Sequence, residues 1–193
     1  MTAITETDDM SRRPIYRTEY EMLGRQHAFE DESVELLDGQ IVYASEEGPP
    51  HADVAARIAR LAIEAIPASE GVVRIGNPIA LSDLSEPEPD LYVTTPSPGY
   101  RAAHPTTASV VVEVSQTSRR RDLGLKARLY AAAGIPDYWV VDLRNDRVIV
   151  HRDPEHDAGA ARSRFASVTA HDHGTVRALH HPAFAVDVAA LLH

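Results

Sequence analysis

Cysteine is absent from this chain of 193 residues. Disulfide bonds, thiolate metal sites and cysteine nucleophiles are therefore excluded, and nothing in the composition requires an oxidising compartment. The chain also lacks an apolar run of transmembrane length, a glycine-rich phosphate loop and a Gly-x-Ser-x-Gly motif, which argues against a membrane span, a nucleoside triphosphatase and a serine hydrolase. Residues 1–10 are polar and acidic, unlike a secretory signal. We expect a soluble cytoplasmic protein with no membrane partner.

Lysine is nearly absent as well, because Lys126 is the one lysine among 19 lysine and arginine residues. A compact ammonium and a planar guanidinium bind their partners differently. A chain that uses arginine everywhere else therefore predicts a specific role for this position. The alternative is that Lys126 is a surface lysine without a specific role, retained by chance in a chain biased towards arginine.

Positive charge is in short supply, since 29 aspartate and glutamate residues give a net charge of −10. Nucleic-acid-binding domains usually carry a basic face, so this balance argues against tight nonspecific binding of DNA. The objection is partial, because a bound metal neutralises clustered carboxylates, and residues 119–121 form a local arginine run that can meet a phosphate backbone. The alternative for this run is a solvated helix start.

The apolar periodicity and the turn signals predict one α/β domain over residues 18–193, after a poorly ordered tail at 1–17. Asp38-Gly39 between apolar runs predicts a hairpin turn. Helices are expected over 18–26, 51–66 and 118–133, strands over 34–37, 40–43, 72–75, 79–81, 90–94, 109–114, 138–143, 147–151, 165–168 and 176–179, and an apolar turn at 188–192.

Glu113 stands inside the most apolar of these strands, the β-branched run at 109–114. A buried carboxylate costs free energy unless it is paired, hydrogen-bonded or bound to a metal, so this residue predicts a partner. Asp90 begins a neighbouring short strand and is expected to bring a second carboxylate to the same sheet edge. Two carboxylates and water suit a hard divalent cation such as magnesium or manganese.

Lys126 lies on the helix that follows the Glu113 strand, and Asp122, Lys126 and Tyr130 are spaced four residues apart on one helical face. Two carboxylates and a lysine are the groups used in metal-assisted phosphodiester hydrolysis. The metal acidifies a water molecule, and the lysine orients that water or stabilises the developing charge.

Residues 89–142 carry a more specific pattern: Pro89-Asp90, then Val-Val-Val-Glu113-Val, then Asp122-x-x-x-Lys126-x-x-x-Tyr130-Ala-x-x-Gly134-Ile-Pro-x-Tyr138-Trp139-Val-Val-Asp142. With residues 34–39 and His51 upstream, the pattern resembles the Uma-two family of restriction endonucleases, in the PD-(D/E)XK nuclease superfamily, over residues 18–151. The resemblance implies a restriction-endonuclease-like α/β core, with a mixed central sheet flanked by helices and an N-terminal hairpin. It also implies Asp90, Glu113 and Lys126 as catalytic residues, with Asp90 and Glu113 as ligands of Mg²⁺ or Mn²⁺.

One position departs from the superfamily pattern, because Ser115 stands where the superfamily usually has lysine, two residues after the glutamate. In the Uma-two family this lysine has moved to the following helix, where Lys126 stands. Ser115 is expected to be a turn or helix-capping residue.

Three further residues are expected to support the site. Glu35 either adds a carboxylate or binds a water of the metal shell, and its alternative is a solvent-facing strand residue. His51 either touches the scissile phosphate or a metal-binding carboxylate, or it only caps its helix. Asp122 either holds Lys126 for catalysis or forms an ordinary surface ion pair with it.

Other chemistry-bearing side chains have simpler interpretations. Tyr138 and Trp139 are expected in the core rather than stacked on bases. Four histidines near the C-terminus match no zinc signature, and a solvated loop is expected for them: His171, His173, His180 and His181.

The site residues and the family resemblance together predict a metal-dependent endonuclease that hydrolyses DNA phosphodiester bonds. Two alternatives remain open, because fold does not fix function. One is a catalytically inactive nuclease-like domain that binds nucleic acid or a protein partner, and the other is a magnesium-dependent hydrolase of small phosphate esters. Superfamily members commonly cut two strands as dimers, so a homodimer is also expected.

Overall fold

The computed structural model describes residues 12–44, 48–156 and 161–193. The tail expected at residues 1–17 therefore lies mostly outside the described residues. The helices are α1 (Arg17–Arg25), α2 (Pro49–Ala65), α3 (Arg119–Arg121), α4 (Ala127–Ala132) and α5 (Val188–Leu192). The strands are β1 (Val34–Leu37), β2 (Gln40–Tyr43), β3 (Val72–Ile75), β4 (Leu91–Thr94), β5 (Val110–Ser115), β6 (Asp137–Asp142), β7 (Arg147–Glu155), β8 (Arg164–His171), β9 (Thr175–Arg177) and β10 (Ala185–Asp187). Among the described residues, no helix has the length and apolar character needed to cross a membrane.

A six-stranded mixed sheet in the order β3-β4-β5-β6-β7-β8 forms the centre of the fold. Strands β5 and β6 are parallel, and every other neighbouring pair is antiparallel. A parallel pair needs a crossover connection, which α3 and α4 provide. Two small antiparallel sheets, β1-β2 and β9-β10, complete the strands.

The side chains of β5 divide between the two faces of the sheet because successive residues of a strand point to opposite sides. Val110, Val112 and Val114 pack against α2 and α5 in one core cluster. Val111 packs against α4 in the other. Glu113 has the same parity as Val111, so its carboxylate is directed to the α4 side, where the aromatic residues Tyr130 and Tyr138 also lie.

The hairpin β1-β2 forms where the Asp38-Gly39 signal predicts it. Asp38 and Gly39 have φ values of 51° and 73°, the left-handed pair that a type I′ turn requires. A Cβ on Gly39 would lie 2.5 Å from Cβ of Pro14, so glycine is also needed for space. The hairpin is joined to the segment before β4 by a bridge between Leu36 and Glu86. This bridge brings β1 next to the segment that leads to Asp90 and β4.

The helix expected over 118–133 is present but not uniform. Between α3 and α4 the chain makes a π-helical turn, Asp122–Lys126. Such wide turns occur often at functional sites because they redirect side chains. The helix stops where Gly134 adopts φ 72°, as the glycine signal predicts.

One sequence expectation about strands was wrong, and one strand was not predicted. Residues 79–81 were expected as a strand but form none, because their backbone N–H groups bond to separate carbonyls of Pro87, Pro105 and Ser85. Strand β10 was not predicted, and it pairs with β9 through a register that local periodicity does not reveal. Tyr138 and Trp139 are buried in the core, as expected.

Candidate active site

Glu113 lies near the end of β5 and is only 4% exposed. Its Oε1 atom accepts hydrogen bonds from Lys126 Nζ at 2.9 Å and from the Tyr130 hydroxyl at 2.8 Å. Burial raises the pKa of Tyr130 well above its ordinary value, so this phenol stays protonated and donates. The Glu113 Oε2 atom accepts no hydrogen bond from the described part of the chain. One carboxylate oxygen of Glu113 is therefore engaged by Lys126 and Tyr130, and the other can bind a ligand.

Lys126 is 3% exposed and joins two acidic residues. Its Nζ atom lies 2.9 Å from Glu113 Oε1 and 2.9 Å from Glu35 Oε2. Burial by itself lowers the pKa of a lysine, but the charges of Glu113 and Glu35 outweigh it and the pKa of Lys126 is raised. Lys126 is therefore a fixed ammonium, not a neutral amine able to take up a proton.

Asp90 lies immediately before β4 and is held at both carboxylate oxygens. Oδ2 accepts a 2.6 Å hydrogen bond from the backbone N–H of Val114, the residue after Glu113. Oδ1 lies 3.1 Å from Nε2 of His51, which is buried in the first turn of α2. These two contacts fix the Asp90 carboxylate beside the end of β5, and they place His51 against a carboxylate.

Glu35 is a buried strand residue, 3% exposed, so the solvent-facing alternative for it does not hold. Its Oε2 atom accepts from the backbone N–H of Glu88 at 3.2 Å as well as pairing with Lys126. Because Glu35 belongs to the hairpin and Lys126 to the crossover helix, their contact depends on packing between separate elements. The hairpin therefore forms one wall of the site.

Asp122 has different partners from those expected. Its Oδ2 atom accepts hydrogen bonds from the hydroxyls of Ser115, at 2.5 Å, and Ser118. Within the described ranges its carboxylate forms no ion pair with Lys126, whose ammonium is engaged by two glutamates. The expected direct pairing was therefore wrong. Burial raises the pKa of Asp122, and its side chain ties the start of the crossover helix to the end of β5.

These side chains surround a cavity of about 140 Å³ whose lining includes Asp90, Glu113, Lys126, Glu35 and His51. Acidic groups outnumber the buried ammonium at this point. Burial, together with the charges of Asp122, Asp90 and Glu35, raises the pKa of Glu113 well above its ordinary value despite the attraction of Lys126. The cavity is therefore short of positive charge.

A divalent cation fits this donor set. Glu113 Oε2 is available, and Asp90 Oδ1 faces only a histidine nitrogen among the contacts described above. In the part of the chain that the structure describes, no three or more histidine, cysteine, aspartate or glutamate side chains are grouped as a metal cage. Two carboxylates would thus leave the other positions to water and substrate, which is the usual arrangement for Mg²⁺.

Sequence reasoning did not assign roles to three residues that contact the site. Tyr130 donates to Glu113, and its spacing of four from Lys126 on a helix was the available signal. Ser118 supports Asp122. Arg121 lies 3.9 Å from Glu35 and donates to the Tyr43 carbonyl at 2.7 Å, contacts that only the packing of the hairpin creates.

One solved structure with a similar fold is the crystal structure of a putative nuclease belonging to DUF820 from Anabaena variabilis ATCC 29413. The superposition has a TM-score of 0.68 and covers 93% of this chain and 98% of that chain, at 14% sequence identity. This likeness confirms the expected α/β architecture with a mixed central sheet. No curated protein matches the chain.

The sequence itself matches a family over residues 18–181, which is most of its length. The matched stretch contains the hairpin, the central strands and every residue of the candidate site. The family is described as "Putative restriction endonuclease". The resemblance expected from the motif is thereby confirmed, and the chain belongs to the Uma2 family.

Proposed function

We propose that this chain is a metal-dependent endonuclease that hydrolyses DNA phosphodiester bonds with an activated water. The observation that carries the proposal is the convergence of Asp90, Glu113 and Lys126 on one small cavity beside the end of β5. Burying a lysine among carboxylates adds little to stability compared with apolar packing, so such a cluster calls for a chemical role. Membership of a restriction endonuclease family supports the same conclusion.

Asp90 and Glu113 are the proposed ligands of Mg²⁺ or Mn²⁺. When bound, such an ion acidifies a water molecule and polarises the phosphoryl group. His51 and the Val114 N–H hold the Asp90 carboxylate in position. Tyr130 holds Glu113 through Oε1, the oxygen that also meets Lys126, and Oε2 accepts no hydrogen bond from the described residues.

Lys126 is proposed to act as a donor of positive charge. Its ammonium is held by carboxylate oxygens of Glu35 and Glu113, both at 2.9 Å, so it remains protonated and cannot serve as the base. A third N–H direction of the ammonium remains for the attacking water or for a phosphate oxygen. Stabilisation of charge that develops in the transition state is the contribution expected from such a preorganised donor.

Glu35 and Asp122 are proposed as positioning residues. Glu35 gives the Lys126 ammonium a second carboxylate partner, at 2.9 Å, in addition to Glu113. Asp122 joins Ser115 and Ser118 and thereby sets the direction of the crossover helix relative to β5.

The test is metal-dependent nicking of supercoiled DNA by the purified chain and by Asp90→Asn. The wild type is expected to nick with Mg²⁺ or Mn²⁺ and to lose activity in EDTA, whereas Asp90→Asn is expected to lose at least about a hundredfold in rate. Asp53→Asn is a matched control, because Asp53 is an exposed residue of α2 that pairs with Arg57 at the surface. Absence of cleavage with either metal, together with absence of Mg²⁺ binding by calorimetry, would refute the proposal.

A homodimer would supply one active site for each strand of a duplex, and we propose this arrangement for cutting both strands together. Sedimentation of the chain with and without a duplex tests this expectation. A monomer that converts plasmid only to the nicked form is the outcome that contradicts it.

A further inference from the structure

A basic groove leads away from the carboxylate cavity. It has a volume of about 680 Å³ and is lined by Thr117, Ser118, Arg120, Arg121, Gly124, Leu125 and Arg128. Thr117, Ser118 and Arg121 line the carboxylate cavity as well, so the two spaces share a wall. The groove therefore adjoins the cavity along these three residues.

The groove concentrates positive charge in an acidic protein. The chain has a net charge of −10, yet residues 119–128 hold five cations and a single acid, Asp122. That acid is buried and accepts hydrogen bonds from Ser115 and Ser118. The exposed charge of this segment is therefore positive.

The arginines of this segment divide into those the fold uses and those it leaves to solvent. Arg119 donates to Asp142 at 2.8 Å and anchors the start of α3. Arg121 contacts Glu35 and the Tyr43 carbonyl. Arg120 and Arg128 are exposed, and among the described residues neither forms a side-chain hydrogen bond or an ion pair. Two guanidinium groups at the groove are thus available to a ligand.

The floor of the groove is open. Gly124 lies between these arginines in the π-helical turn, and a Cβ placed on it would meet no atom within 4 Å. Glycine in a helix costs up to about 1 kcal/mol relative to alanine. The fold gives no steric reason for glycine here, since a Cβ would have room.

We propose that this groove binds the sugar–phosphate backbone of a DNA strand beside the scissile phosphate, so that the substrate is a polynucleotide rather than a small phosphate ester. This inference rests on the proposed phosphodiester chemistry of the adjoining cavity. Guanidinium groups bind phosphates through paired N–H donors, and backbone contacts of this kind position a strand without reading its sequence. A small ester would fill the carboxylate cavity and leave the basic groove without a role.

The binding test uses a short fluorescein-labelled duplex in EDTA, where cleavage cannot occur, and measures anisotropy between about 50 and 200 mM salt. The double variant Arg120→Gln/Arg128→Gln is expected to bind about tenfold or more weakly. The slope of log affinity against log salt should fall by nearly 2, about 0.9 for each phosphate that an arginine no longer neutralises. Arg60→Gln is the matched control, since Arg60 is exposed on α2, which packs against the opposite face of the sheet.

A second pair of variants does not depend on removing arginine. Gly124→Glu and Gly124→Gln place side chains of nearly equal size in the groove, and only the first adds negative charge. Weaker binding by Gly124→Glu than by Gly124→Gln supports a phosphate path, whereas equal binding by the two overturns it.

Cleavage assays separate this inference from the proposed function. If the wild type cleaves DNA and the double arginine variant cleaves it equally well at every salt concentration, the proposed DNA path along the groove is refuted, whereas the proposed endonuclease function stands. If the wild type binds DNA through Arg120 and Arg128 but never cleaves, the groove stands and the endonuclease fails. Bis(p-nitrophenyl) phosphate is too short to extend along the groove, so an equal loss of its hydrolysis and of DNA cleavage in the double variant would overturn the proposed strand path.

Discussion

Lys126→Met is the substitution that best tests whether the site is organised around one ammonium. The side chain joins two carboxylates at 2.9 Å, and all three residues are no more than 4% exposed. Removing one partner of a buried ion pair leaves uncompensated charge and costs about 3–5 kcal/mol. For a protein of this size that corresponds to a fall in melting temperature of roughly 6–20 °C.

Three comparisons sharpen this prediction. Lys126→Arg keeps the positive charge, so its loss of stability should be limited to overpacking, about 1–3 kcal/mol, while cleavage is lost because the guanidinium places its donors differently. Lys126→Met/Glu35→Gln removes one of the two stranded carboxylates and should be more stable than Lys126→Met alone. The cost of Lys126→Met should also shrink as pH falls towards 5, because protonation removes the repulsion between the carboxylates.

Urea denaturation of the four proteins at neutral and acidic pH measures these differences. A loss below about 1 kcal/mol in Lys126→Met at neutral pH would be in the range of an exposed surface pair and would refute the reasoning. A double variant less stable than Lys126→Met would refute the part assigned to Glu35.

Three further predictions concern other parts of the fold. Burial raises the pKa of Glu86 to about 7, so the stability from its neutral form is complete below about 4.5 and is lost as pH rises through 7. Glu86→Gln should therefore stabilise the protein above pH 7, on the order of 1–3 kcal/mol, and flatten the dependence of urea midpoint on pH between these values. Tyr130→Phe removes one donor to Glu113 and should cost about 1–3 kcal/mol in urea denaturation, with a larger loss in cleavage rate than in substrate binding. Gly39→Ala should destabilise the hairpin by more than about 1 kcal/mol, because its φ is 73° and its Cβ would overlap Pro14.

Each of these predictions has an opposing result, and two of them have a matched control variant. Glu64→Gln changes an exposed glutamate of α2 and should leave the pH dependence of the urea midpoint unchanged. If Glu86→Gln also leaves this dependence unchanged, the prediction for Glu86 is wrong. An unchanged cleavage rate in Tyr130→Phe would remove this hydroxyl from the site. Gly174→Ala also places alanine at a positive φ, 81°, but in open space, so equal costs at the two glycines would exclude a part for Pro14.

Local patterns in the sequence were sufficient for much of the fold. The Asp38-Gly39 turn, the β-branched run of β5 and the glycine stop at Gly134 each depend on backbone preferences of a few neighbouring residues. Residues 79–81 were wrongly predicted as a strand and strand β10 was not predicted, because pairing with other segments decides both and a few neighbouring residues do not reveal it.

The candidate site divides in the same way. A glutamate in an apolar strand requires a partner wherever the chain places it, so Glu113 and the lone Lys126 were identified from the sequence by themselves. Which acids share that ammonium is a competition decided by distances of a few ångströms between separate elements. Because the hairpin packs against the crossover helix, Lys126 forms an ion pair with Glu35. Asp122 instead accepts hydrogen bonds from two serine hydroxyls.

The sequence by itself therefore determined the fold family, the strand that carries Glu113 and the need for a cation beside it. The tertiary structure decided how the hairpin closes the cavity and which arginines are left exposed, because a residue's partners depend on contacts between elements distant in the chain. Three adjacent arginines show this difference. Arg119 anchors α3 to Asp142, Arg121 contacts the hairpin, and Arg120 faces the groove.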